Sequence, residues 1–144
     1  MGHSLGGGVC QDIMVAKPNL VQAFVLYAPV SADYIDNFNR WAVKDRADIA
    51  HEFIKKHGTS EENPQFWNEL SAINYLDRIE DPIMINHGTK DESCPFAWSQ
   101  KLASALNKAG KNYEFVVYSG ERHEFGPQWP LFMQKTAKFF QDNL

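Results

Sequence analysis

The sequence predicts an α/β fold, a parallel sheet with helices packed against it. Three observations carry that prediction. Short apolar runs at 22–28, 82–87 and 113–118 read as strands, and the first is near-continuous, the look of a strand buried on both faces. Segments with apolar residues three and four positions apart separate and follow these runs, which is the period of a helix with one buried side. Ahead of them stands Gly2-His3-Ser4-Leu5-Gly6-Gly7. It fits Gly-x-Ser-x-Gly, a sharp strand-to-helix turn that lifts a serine hydroxyl clear of a sheet. Strands alternating with helices imply right-handed crossovers and helices on both faces of the sheet.

Taken in order, Leu5, Val9, Ile13 and Ala16 predict an inward stripe on a helix from Ser4 to Lys17, stopped at Lys17-Pro18. Gly2 and Gly6 are expected to relieve crowding around the strained serine, and Gly7 and Gly8 to let the helix lie close to the sheet. The run 22–28 predicts a strand whose carboxyl end, at Ala28, Pro29 and Val30, lies where open α/β sheets gather ligands. Residues 31–76 are too many for a simple crossover and predict a helical insertion that could cover the site. One of its helices carries Val43, Ala47, Ala50 and Ile54 on one face and ends at Lys55, Lys56, His57 and Gly58; a second spans Pro64 to Leu70. Its aromatics, Tyr34, Phe38, Trp41, Phe66 and Trp67, fit either core packing or a substrate wall. Beyond the insertion come a strand at 82–87, an amphipathic helix from Pro95 to Ala109, a strand at 113–118 and a last helix from Pro130 to Asp142. That makes three strands.

Composition narrows the function. A chain of 144 residues, 44% hydrophobic and 22% charged, suggests one globular domain. A net charge of -4 gives no case for nucleic acid or an anionic membrane as partner. No apolar run approaches the ~18 residues of a membrane helix, and Met1 leads straight into the turn without a visible leader, so a cytoplasmic location is expected. Cys10 and Cys94 lack the spacing of a metal or redox motif and read as free thiols. No His, Cys, Asp and Glu cluster has metal-ligand spacing, and no cofactor is expected.

The chemistry rests on three loops. A serine hydroxyl needs a histidine to take its proton, and that histidine needs a carboxylate to fix its tautomer. After a nucleophile elbow these arrive in the order serine, acid, histidine, each just past a strand. Asp91 follows the strand at 82–87, and His123 follows the strand at 113–118. Ser4, Asp91 and His123 are therefore the candidate triad. The Leu5 N–H, at a helix start, is the candidate oxyanion donor. Tyr27, Pro29 and Trp41 are candidate substrate contacts. Glu92 is the alternative acid, His87 reads as a loop support, His3 as an elbow packing residue pointing away from the serine, and His51 and His57 as surface.

With these residues placed, the chain resembles the C-terminal portion of α/β-hydrolases, most closely the prolyl-oligopeptidase-like and dienelactone-hydrolase-like esterase branch. The elbow 2–7, the stretch Ser71–Ile79 with Pro82–Asp91, and Tyr118–Phe125 carry the resemblance. It covers nearly the whole chain apart from the insertion. It implies an incomplete α/β-hydrolase fold in which Ser4 is nucleophile, Asp91 acid and His123 base. Cys94 stands where such proteins often carry valine, and serine replaces the cysteine nucleophile common in dienelactone-type enzymes. The implied activity is hydrolysis of carboxylic esters, with short acyl groups, through an acyl-enzyme. The alternatives are a peptidase of the prolyl-oligopeptidase type, or a non-catalytic subunit acting by association. The fold usually has about eight strands, and the loop giving the second oxyanion N–H lies upstream. The sheet is thus expected to expose Val25, Leu26 and Ile85 and to be completed by a second copy or a complementing polypeptide.

Overall fold

The computed structural model describes residues 1–144. In chain order the elements are β1 (Gly2–His3), α1 (Leu5–Ala16), β2 (Phe24–Tyr27), α2 (Tyr34–Asn37), a π-helical stretch (Phe38–Val43), α3 (Ala47–His57), α4 (Pro64–Glu69), a 3₁₀ segment (Ala72–Arg78), β3 (Ile83–Gly88), α5 (Phe96–Lys108), β4 (Tyr113–Tyr118) and α6 (Trp129–Asn143). The four strands form one parallel sheet in the order β1-β2-β3-β4. This corrects the expected count of three. Gly2 and His3 pair with Leu26 and Tyr27, so the serine does follow a strand, one too short to show a periodicity.

β2 and β3 are buried along their whole length because both faces of the sheet are covered there, whereas β4, at the edge, is only partly buried. Phe24, Leu26, Ile83 and Ile85 pack with Met14 and Val15 of α1 and with Leu102, Ala103 and Leu106 of α5. On the opposite face Val25 and Met84 meet Phe139 of α6. Tyr27, Tyr118, Phe125 and Phe132 close the rim on that side. Val25, Leu26 and Ile85 are all 0% exposed, which corrects the expectation of a sheet too small to cover itself. Burial of each such side chain favours the fold by about 1.5–3 kcal/mol.

α1 presents a different face from the one the hydrophobic spacing predicts. Gly7, Gly8, Gln11, Met14 and Val15 are buried, while Leu5 and Val9 are 72% and 51% exposed. Smallness decides the orientation. A β-carbon on Gly7 would come within 2.6 Å of Pro29 Cβ, and one on Gly8 within 2.5 Å of Val30 Cγ2. The two glycines let the helix backbone press on the chain that leaves β2. A β-carbon on Gly2 would collide with the Gly6 carbonyl, but one on Gly6 would meet nothing within 4 Å. Of that pair only Gly2 is sterically required.

Residues 31–71 form a small aromatic cluster of their own. Phe38, Ala50 and Trp67 are its buried members, with Phe53 and Phe66 packed against them. Lys101 of α5 ties this region to the sheet through Asp33 at 2.7 Å and Asp36 at 3.0 Å.

Candidate active site

Ser4 sits between β1 and α1 with φ 53° and ψ -118°, a left-handed conformation that costs a non-glycine residue on the order of 1–3 kcal/mol. The backbone around it holds that strain. Its N–H donates to the Tyr27 carbonyl at 3.0 Å, and its carbonyl accepts from Gly7, Gly8 and Val30. Leu5 then opens α1, where a helix leaves its first N–H groups without intrahelical partners. Its amide is therefore free to face an anion beside Ser4.

Asp91 and His123 meet directly. The Asp91 side chain is 0% exposed, and its Oδ2 lies 2.8 Å from His123 Nδ1. Its Oδ1 accepts from the amides of Ser93 at 2.9 Å and Cys94 at 2.8 Å. Burial alone would raise the Asp91 carboxyl, but hydrogen bonds from His87, His123 and those two amides outweigh it and hold the group below the ordinary carboxylate range. An ionised Asp91 requires the proton on His123 Nδ1 and leaves Nε2 with a free lone pair.

The loop bearing His123 is braced on several sides. The Phe125 N–H donates to the Tyr27 hydroxyl at 2.7 Å. The buried Glu121 carboxylate accepts from the amides of Gly126 and Gln128, each at 2.7 Å. Gly88 lets this loop approach β3, because a β-carbon there would strike the Glu121 carbonyl. His3 donates from Nε2 to the His123 carbonyl at 3.2 Å, and the two rings lie 4.6 Å apart. Burial lowers the His3 imidazole, with its bond to the His123 backbone acting in the opposite sense.

Several expected roles change. Tyr27 is buried; it stacks on His3 at 4.2 Å and holds the histidine loop, so it supports the site from below instead of lining it. Pro29 is also fully buried, pressed against Gly7, and forms the floor of the elbow. Trp41 is half-buried and packs edge-on to Trp98 at 5.5 Å, while its neighbour Arg40 donates to the Glu92 carbonyl at 2.8 Å. The insertion thereby leans on the loop that carries Asp91. Glu92 is exposed, pairs with Arg122 at 3.2 Å, and accepts from the His123 backbone amide, not from its ring. His3 points toward the histidine loop. No pattern in the sequence marks Glu121 as buried.

Ser4 Oγ is hydrogen-bonded to Cys94 Sγ at 3.9 Å, and no hydrogen bond joins it to His123. The Cys94 thiol is fully buried, and burial pushes it up to about 11 despite the contact with Ser4. At neutral pH it is a protonated thiol and no rival nucleophile.

Comparison with known proteins places this geometry. The chain is 27% identical over 120 residues to the uncharacterized peptidase YuxL of Bacillus subtilis, an alignment covering 81% of this chain and 17% of that protein. Its fold matches dipeptidyl peptidase 4 of Porphyromonas gingivalis with a TM-score of 0.77 at 23% identity, over 99% of this chain and 19% of that one. It also matches acylaminoacyl peptidase of Pyrococcus horikoshii with a TM-score of 0.74 at 20% identity, over 99% and 23%. The chain thus spans about a fifth of the length of these relatives. Residues 1–144 match the model of the prolyl oligopeptidase family, peptidase S9, and the chain belongs to that family.

Proposed function

We propose that this chain carries the nucleophile, acid and base of a serine peptidase that cleaves amide bonds through an acyl-enzyme. The observation that carries the reading is the 2.8 Å bond between Asp91 and His123 on the rim where the strained Ser4 ends β1. Ester hydrolysis, the main expectation from the sequence, gives way to the peptidase alternative because the family and the curated relative are peptidases.

On this reading Ser4 turns about χ1 from Cys94 toward His123 Nε2. His123 takes the hydroxyl proton as Oγ attacks the substrate carbonyl, and the imidazolium is stabilised by Asp91. The oxyanion is met by the Leu5 N–H. His123 passes the proton to the leaving amine, the C–N bond breaks, and an acyl-Ser4 ester remains. Water, deprotonated by the same nitrogen, then releases the acid and restores Ser4. Trp41 and Trp98 supply the apolar wall for the acyl side. The expected association with a second copy or a complementing polypeptide remains part of the proposal. Its support is now the exposure of Leu5 and Val9 beside the elbow.

The test is a matched series of peptidyl p-nitroanilides and p-nitrophenyl esters. Turnover of both, lost together in Ser4→Ala, is expected. Ester turnover with no amide turnover would return the chain to the esterase reading.

A further inference from the structure

Behind the proposed triad lies a second, fully buried hydrogen-bonded chain. His87 ends β3 with 0% exposure. Its Nε2 lies 3.1 Å from Asp91 Oδ2 and 3.0 Å from the Cys94 carbonyl. Its Nδ1 lies 2.6 Å from Ser99 Oγ, on a residue of α5 only 1% exposed. The oxygen of Asp91 that holds His123 therefore faces a second imidazole.

The proton on His87 can be placed by satisfaction. Two acceptors, the Asp91 carboxylate and the Cys94 carbonyl, face Nε2, so Nε2 must carry hydrogen; a lone pair there would oppose both. The buried Ser99 hydroxyl has His87 Nδ1 as its only partner, so Nδ1 must accept. Neutral His87 in the Nε2–H form satisfies every group, and neither the other tautomer nor the cation does.

We infer that His87, locked in this tautomer by Ser99, is a positioning residue whose Nε2–H, bonded to the Cys94 carbonyl, is shared with Asp91 Oδ2. A carboxylate offers about four acceptor sites. His123 and the amides of Ser93 and Cys94 fill three, and the shared Nε2–H of His87 faces the fourth. The buried carboxylate is thereby kept ionised and cannot rotate, and its charge is divided between two imidazoles. The inference rests on the triad reading for its purpose, but its geometry is independent of turnover.

The test uses ¹⁵N-labelled full chain and proton NMR of the imidazole groups. Wild type should show His87 as the Nε2–H tautomer; an Nδ1–H or doubly protonated ring overturns the inference, whatever the variants do. In His87→Leu the low-field His123 Nδ1–H resonance should move further downfield, because Asp91 keeps only one imidazole donor. In His87→Gln, whose side-chain amide reaches about as far as Nε2, it should return toward the wild-type position. A folded His87→Leu with an unchanged His123 resonance, or a folded His87→Gln indistinguishable from it, reduces His87 to space-filling and overturns the proposal. None of these signals reads catalysis, so failure to cleave amides would count against the peptidase reading alone.

Discussion

Around Asp91 and His123 the shape of the rim comes from side chains: buried carboxylates, imidazoles and a tyrosine hydroxyl, each with a named partner. Around Ser4 it comes from the backbone, with a left-handed φ of 53° held by carbonyl contacts and by glycines that let Pro29 and Val30 close in. The two sides therefore fail in different ways. A change at Asp91 itself should chiefly remove chemistry. A change at the serine side should disturb packing first.

The largest effect expected is Asp91→Asn. It keeps the volume but favours the wrong His123 tautomer, and should lower kcat roughly 10⁴-fold, the scale seen when the acid of another serine triad is so replaced. Steady-state turnover of a p-nitroanilide checks it; a loss under tenfold would mean that the two sides are not coupled. The same variant carries a pH signature. Because the Asp91 carboxyl is held below its ordinary value, its contribution to stability is present above the ordinary range near ~3.9 and is lost as pH falls through the lowered value. The gap in thermal midpoint between wild type and Asp91→Asn should be constant above about pH 5 and close only in stronger acid.

Glu121→Ala should destabilise by about 1–3 kcal/mol, since the Gly126 and Gln128 amides lose their shared acceptor. Denaturant unfolding measures it. On the serine side Gly7→Ala should cost a similar amount, about 1–3 kcal/mol from overpacking against Pro29, whereas Gly6→Ala should be neutral or slightly stabilising. Equal effects of the two glycine substitutions would break the backbone account. Tyr27→Phe removes one acceptor beneath the histidine loop and should cost about 1 kcal/mol.

The strands at 82–87 and 113–118 and the loops carrying Asp91 and His123 were legible because short apolar runs mark the strands and these two residues follow them directly. Other features were set by contacts without a local signature. β1 is two residues long and exists only by pairing with Leu26 and Tyr27. α1 turns its glycines inward and leaves Leu5 and Val9 outside, so hydrophobic spacing pointed to the wrong face. Tyr27 and Pro29 stand near the site in sequence, yet their side chains are spent on the histidine loop and the elbow floor. Glu121 is buried only because Gly88 brings its loop down.

If Asp91 and His123 activate Ser4 and no other nucleophile, a serine-reactive probe should find that hydroxyl alone. The most direct measurement is labelling of the full chain by a fluorophosphonate probe at neutral pH, with the modified peptide mapped by mass spectrometry. A single adduct on Ser4, absent from Ser4→Ala and strongly slowed in His123→Ala, is the predicted result. An adduct on another residue, or equal labelling of wild type and His123→Ala, would contradict it.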